Sequence, residues 1–382
     1  MSDYYQPFID AVHAAAVKGQ RLRVRGGGTK DFYGAPLDDS AVLDTRPLSG
    51  IVSYEPSELV VTALAGTPLA ELEVALAAQG QCLAFEPPHF GPGSTVGGML
   101  AAGLAGPARA SVGGVRDFVL GARLINGRGE LLTFGGQVMK NVAGYDVSRL
   151  MAGSLGTLGL VVDVSLKVLP VAPAEATLMC AGLAQQQALD LLNRWGGQPL
   201  PLNASCWVRD ETASPVEDYL FIRLRGAVAA VDAALHRLST DVQAAGGRVQ
   251  CMDNAQAGPD WQACREQTLP FFEPPSADAC LWRLSLPQTA PALEVPWAPF
   301  IEWQGAQRWM WAPASAGAQL RALAQQLGGH ATLFRASRAG GDADKHAAGT
   351  FTPLDAVQAR IQGALQRQFD PAGVFATGRG GL

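Results

Sequence analysis

The sequence predicts an α+β protein in two parts: a glycine-rich domain of mixed helices and strands, then an antiparallel α+β domain of ferredoxin-like type. Three observations predict it. Glycines crowd residues 91–170 beside an apolar frame, in Gly91-Pro-Gly-Ser-Thr-Val-Gly-Gly98, Gly103, Gly106, Gly113-Gly114, Gly121 and Gly153-Ser-Leu-Gly-Thr-Leu-Gly159. Glycine costs backbone entropy and packs nothing, so it belongs where backbone turns sharply or lies against a ligand. Beyond Pro170 and Pro173 the glycine density falls and helical periods alternate with strand periods. The chain has 382 residues, more than the roughly 250–300 that one core usually spans.

In chain order, Phe8, Ile9, Val12, Ala15 and Ala16 share one face of a helix over 7–18. Arg21–Val24 alternates as a strand and delivers Arg25-Gly26-Gly27-Gly28-Thr29-Lys30. Consecutive N–H groups in such a run form an anion nest, with Arg25 and Lys30 adding positive charge, although a plain turn explains a triple glycine equally well. It is neither the dinucleotide fingerprint, which would need glycine where Asp31 stands, nor a Walker loop. Strands are expected at 51–54, 59–64 and 82–85, with a helix between the last two capped by Thr67 and led by Pro68. Ser94 or Thr95 caps a helix over 96–104, whose free N–H groups and dipole favour phosphate. Asn126-Gly-Arg-Gly129 joins 119–125 to 130–134 as a hairpin, and 160–168 is a strand. The second part is expected to hold strands near 176–182, 203–209, 218–224, 247–252, 280–286 and 330–336. Its helices are expected near 184–195, 227–245, 255–268 and 316–327.

Composition excludes several classes. A net charge of −5 argues against a broad nucleic-acid surface. The six cysteines lack any Cys-x-x-Cys spacing, which opposes a zinc site or an iron–sulfur cluster and leaves reduced, buried thiols. No apolar run reaches the ~18 residues of a membrane span, and the N-terminus carries no secretory pattern. The expected location is therefore cytoplasmic, or peripheral at the inner face of the membrane through partners.

As a set, Arg25–Thr29, Thr95-Val-Gly-Gly98, Arg116-Asp-Phe-Val-Leu-Gly121 and the block Lys140–Gly159 resemble the vanillyl-alcohol-oxidase-type (PCMH-type) FAD domain. The Lys140–Gly159 block, with Cys264–Phe272, Leu281–Ser285, Glu302–Trp309 and Gly328–Arg335, is similar to the family of FAD-binding E subunits of bacterial glycolate oxidases (glycolate dehydrogenases). The resemblance implies a PCMH-type FAD domain of two α/β subdomains over 1–172, a ferredoxin-like cap over 173–350, and a segment 351–382 returning to the FAD domain. It implies that Arg25, Gly26, Gly27, Gly28 and Thr29 line the FAD pyrophosphate and that Thr95, Gly97, Gly98, Gly103 and Gly106 line its other side. Gly156, Gly159 and Val161 are placed at the adenine end. Some members of the superfamily attach FAD through a histidine in the first loop; Thr29 stands there, so the FAD is expected to be non-covalent. The tail departs from the usual Asn-Pro-Gly-Arg and reads Ala376-Thr-Gly-Arg379.

Oxidising a 2-hydroxy acid requires a cation for the carboxylate, a base for the hydroxyl proton and a flavin as hydride acceptor. Arg265 and Arg283 are the candidate carboxylate holders; the alternative for each is a salt bridge within the cap. His89 is a weak candidate base, and no metal motif is present. The resemblance implies a second FAD-linked catalytic subunit and an iron–sulfur subunit as partners, with glycolate as the substrate of the whole. Trp297, Trp303, Trp309 and Trp311 are candidate interface residues, or else the cap's own core. The rival readings are a scaffold with a degenerate flavin site and a self-sufficient oxidase.

Overall fold

The structure, a computed structural model, describes residues 4–136, 146–211 and 214–380. It divides into two compact units: 1–104, 114–170 and 353–382 form the first, and 105–113 with 171–352 form the second.

The first unit opens with helix α1 (Gln6–Lys18), which buries Phe8, Val12 and Ala15. Strands β1 (Leu22–Arg25) and β2 (Ala41–Asp44) pair in parallel, and the first glycine loop leaves the end of β1. Next come β3 (Ile51–Glu55), β4 (Val60–Leu64), α2 (Leu69–Ala77), the two-residue β5 (Gln81–Cys82) and α3 (Val96–Ala102). The expected strand over 82–85 therefore ends at Cys82. Thr67 does not cap α2 either: Pro68 holds the N-cap position. The Thr67 hydroxyl instead accepts from Gly50 N at 2.9 Å and donates to Gly50 O at 3.0 Å, pinning the turn before β3. After the short helices α4 (Arg109–Val112, in the second unit) and α5 (Val115–Phe118) come β6 (Val119–Ile125), β7 (Leu131–Gly135), β8 (Leu160–Lys167) and β9 (Leu169–Pro170).

Strands β3-β4-β8-β6-β7 form one antiparallel sheet, with β6 and β7 paired as the hairpin signal predicts. The core beside α1 joins Leu22, Leu64, Ile125, Leu160 and Val162 to Val374 and Phe375, so residues far along the chain complete this unit. Of the block Lys140–Gly159, residues 140–145 lie outside the described residues.

The second unit carries β10 (Ala174–Ala181), α6 (Gln185–Gly196), β11 (Leu202–Asp210), β12 (Glu217–Gly226), α7 (Val228–Ala244) and β13 (Arg248–Met252). Helix α8 (Asn254–Glu266) then leads to β14 (Ala279–Ser285), β15 (Phe300–Glu302), β16 (Gln307–Pro313), α9 (Gly317–Gln326), β17 (His330–Arg335) and α10 (Asp342–Ala348). Helix α11 (Ala356–Phe369) returns the chain to the first unit. The eight strands form one antiparallel sheet in the order β13-β10-β12-β11-β15-β16-β14-β17. Read in chain order, the first four strands lie 4-1-3-2 and the second four 2-3-1-4, so the sheet is two ferredoxin-like halves joined at β11 and β15. The repetition is in topology only; α6 links the first two strands of one half, and an irregular segment replaces it in the other.

Strand pleating sorts the two faces. Leu178, Cys180, Leu220 and Ile222 pack with α6 and α7, while Trp282, Leu284 and Met310 pack with α9. Thr177, Phe221, Cys206, Glu302 and Trp309 lie on the other face by register, together with Arg283. Helix α8 docks on that face through Trp261, whose Nε1 donates to Thr177 Oγ1 at 3.0 Å.

Candidate functional site

The first unit brings two glycine loops together by excluding side chains between them. A Cβ on Gly27 would stand 1.5 Å from Gly93 O, and one on Gly26 2.3 Å from Thr95 Oγ1. A Cβ on Gly97 would stand 2.7 Å from Ala65 Cβ, and the Gly97 N–H donates to Ala65 O at 2.7 Å. These three glycines are required by backbone packing against backbone or a fixed side chain. Gly98 differs. Among the described residues a Cβ there would meet only Thr95 Oγ1, at 3.1 Å, so no described backbone closes over it.

The donors of this cradle are backbone groups. Among the described residues, no backbone carbonyl accepts from the N–H groups of Gly27, Gly28 and Thr29. Buried or half-buried N–H groups ordinarily find acceptors, so an anion is the fitting complement. Thr95 Oγ1 caps α3 by accepting from Gly98 N at 3.1 Å. Beside it, Lys30 Nζ donates to Ser94 Oγ at 3.0 Å and to His89 O at 3.1 Å, so the cation of the first loop reaches the second. Lys30 is the residue that sequence reasoning undervalued; its place directly after the glycine run was the available signal. The expected cation Arg25 is committed elsewhere. Its Nε sits 2.7 Å from Asp31 Oδ2, and its guanidinium covers Gly28, whose φ is +73°. Thr29 stands against Gly91 with a hydroxyl and no imidazole. His89 Nε2 lies 3.0 Å from Glu73 Oε2.

The remaining predicted glycines take separate positions. Gly103 ends α3 in the left-handed region at φ +64° and packs against Gly153. Gly153 N donates to Leu100 O and Leu155 N to Ala101 O, which docks the 153–157 turn on α3. Gly156, at φ +76°, lies by Val24, and Gly159 by Ile125 O. Val161 follows on β8. Because β4 ends at Leu64 opposite Asp163, the edge of β8 at Leu160–Val161 extends past its neighbour. Gly106 belongs with 105–113 in the second unit, where its carbonyl accepts from Trp303 Nε1 at 3.0 Å. It is therefore grouped apart from the cradle glycines.

In the second unit, Arg265 closes the last turn of α8 and pairs with Glu266, Nε to Oε1 at 2.9 Å. Arg283 lies 5.4 Å from the Phe334 ring, and Arg335, not singled out from the sequence, lies 5.7 Å from the same ring. Burial pushes Arg335 down to about 10, which leaves it charged at neutral pH. Arg335 also donates to Gln267 Oε1 at 3.0 Å, one residue beyond α8. Two guanidiniums thus lie close to one aromatic ring. Glu302 is buried and accepts from Trp309 Nε1 at 2.6 Å and Gln307 Nε2 at 3.0 Å. The expectation that the tryptophans face a partner is corrected for Trp303 and Trp309, which are buried inside this unit. Trp297 and Trp311 line a cavity of about 750 Å³ with Trp261, Phe271 and Phe300. Among the described residues no cluster of His, Cys, Asp or Glu is arranged for a metal, and no helix is long and apolar enough to cross a membrane.

Comparison with known proteins agrees with this geometry. The FAD binding domain family matches residues 6–135. The glycolate oxidase subunit GlcE of Escherichia coli K12 is 44% identical over 99% of this chain and 97% of its own length. The glycolate oxidase subunit GlcD of Bacillus subtilis 168 is 31% identical over 41% of this chain and 33% of its own. A solved alkyldihydroxyacetonephosphate synthase superposes with a TM-score of 0.67, at 14% identity, over 96% of this chain and 73% of that one, which is a likeness of fold alone. The open, donor-lined cradle fits FAD, and the chain belongs to the family of the glycolate oxidase subunit GlcE, as an FAD-dependent oxidoreductase with a PCMH-type FAD domain and a ferredoxin-like cap.

Proposed function

We propose that this chain is the FAD-binding subunit of a multi-subunit 2-hydroxy-acid dehydrogenase acting on glycolate, with its FAD held non-covalently. The observation that carries the reading is the facing of two glycine loops, with N–H donors on one and no described backbone closing over Gly98 on the other. Gly27, Gly28 and Thr29 would hold the pyrophosphate through backbone N–H groups, beside the N-terminus of α3. Lys30 would add charge, and Thr29 offers no nucleophile of the imidazole kind for a covalent link. When bound, FAD supplies hydride acceptance. Arg265 and Arg283 are the proposed holders of a substrate carboxylate. A guanidinium fork binds carboxylate bidentately, which fixes the 2-hydroxy carbon in place.

Electrons are proposed to leave through an iron–sulfur partner, with a second FAD-linked subunit in the same complex. The E. coli relative is itself named a subunit. Among the described residues no disulfide joins the six cysteines, four of them are buried, and no group of His, Cys, Asp or Glu is placed to hold a metal, so cluster ligands are proposed to come from a partner. The proposed location is cytoplasmic, reaching the membrane only through partners. The test is glycolate-dependent dye reduction by the chain alone and by the chain with co-expressed partners. Activity that appears only with partners supports the reading. Full activity from the isolated chain would favour a self-sufficient enzyme instead, and unchanged complex activity after loss of this chain's flavin would favour a scaffold.

A further inference from the structure

We infer that Arg379 is a positioning residue for the cofactor cradle: it latches the C-terminal segment onto the first glycine loop and so sets that loop's distance from the second. This rests on the reading of Gly26–Thr29 as an FAD cradle. Arg379 is buried, and its guanidinium is surrounded by main-chain oxygens. Nη1 donates to Asp31 O at 3.0 Å and to Ala35 O at 2.8 Å, while Nη2 donates to Tyr33 O and, at 3.5 Å, to Lys30 O. The link is reciprocal, since Ala35 N donates to Arg379 O at 3.1 Å. Gly34, at φ +98°, completes the fit: a Cβ there would stand 3.1 Å from Arg379 O and 3.4 Å from Arg379 Cζ.

Arginine suits this task because its planar fork supplies several donors in fixed directions and keeps its charge. Four carbonyls turned toward one cation define the path of residues 30–35, directly after the N–H groups of Gly27–Thr29. One of those carbonyls belongs to Lys30, whose ammonium reaches Ser94 and His89 on the second loop. Through Lys30, Arg379 governs the gap between the two loops.

The tail is anchored without Arg379. Asp370 accepts from Val374 N at 2.8 Å and Phe375 N at 2.6 Å, Leu22 N donates to Val374 O at 2.7 Å, and Val374 and Phe375 are buried in the core beside α1. Removing the guanidinium should therefore loosen the loop without releasing the tail.

The test uses the full chain stripped of flavin and titrated with FAD, following quenching of flavin fluorescence. Arg379→Gln should weaken FAD binding about ten-fold or more, because the loop that presents the Gly27–Thr29 N–H groups loses its anchor. The flavin-free chain should melt lower as well, since the same bonds are made before FAD binds, while the tail stays anchored through Asp370. Arg379→Lys, which keeps charge and some donors, should fall between the two. The visible band of bound flavin in the glutamine variant should lose fine structure as its surroundings loosen. FAD affinity within about two-fold of wild type in Arg379→Gln would overturn the inference. Should that variant not fold, Arg379→Lys decides: weaker binding by a chain that still unfolds in one cooperative transition supports it, and wild-type affinity overturns it. If the wild-type chain itself binds no FAD, the underlying cradle reading fails, and this is a separate outcome.

Discussion

At the scale of single residues, the glycines of the cradle do two different jobs, and substitution separates them. Gly27→Ala places a methyl 1.5 Å from Gly93 O, where neither backbone can yield without moving a loop. It should lower the melting temperature of the flavin-free chain and abolish FAD binding together. Gly98→Val adds a Cβ that meets, among the described residues, only the Thr95 hydroxyl. It should leave the flavin-free melting temperature nearly unchanged while FAD is lost, because sub-ångström crowding forfeits much of the contact attraction. Retention of FAD at wild-type affinity in Gly98→Val would place the cofactor elsewhere. The thiols make a second residue-scale prediction. Burial raises Cys180 and Cys280 to about 12, so both stay protonated and unreactive at mildly alkaline pH, where exposed Cys251 is open to attack. Alkylation of the native protein followed by peptide mass spectrometry should find Cys251 modified first; earlier labelling of Cys180 would contradict the packing of the cap. Gly26–Thr29 and Thr95–Gly98 stand out in the sequence because glycine runs next to strand and helix signals are visible one residue at a time. It did not reveal that Arg25 is spent on Asp31 while Lys30 bridges the loops, since that choice depends on three-dimensional distance.

At the scale of elements, α3 carries the cradle, and its cap is a measurable part of its stability. Thr95 holds the N-cap with its hydroxyl on Gly98 N, so Thr95→Ala should destabilise the first unit by about 1 kcal/mol. A lower melting temperature with restoration by Thr95→Ser would support the assignment; no change in either would show that the loop is held by its other bonds, Val96 N to Thr67 O and Leu69 N to Ser94 O. Periodicity located the long helices and the hydrophobic strands well. It missed β15 and β16, where Glu302, Gln307 and Arg308 are buried. Their apolar residues, Phe300, Ile301, Trp309 and Met310, are buried on both faces and interrupted by buried polar groups, so they show no alternation to read. Thr67 before Pro68 looked like a cap by local rule, yet Gly50 claims its hydroxyl from across the unit.

At the scale of the whole molecule, the linear order of the chain is not the order of its units. Residues 105–113 leave the first unit to join the second, and 353–382 come back to the first. Local signals such as Pro170 mark a boundary, but an excursion of nine residues through another core leaves no such mark. The topological repetition of the cap is equally hidden, because only strand order records it. The central claim is that the two facing glycine loops form a non-covalent FAD site. The most direct measurement is flavin analysis of the purified full chain before and after acid precipitation. A flavin spectrum before precipitation, with all of it released to the supernatant as FAD in proportion to chain, is the predicted result. A colourless chain that takes up no FAD, or yellow colour kept in the protein pellet, would contradict it.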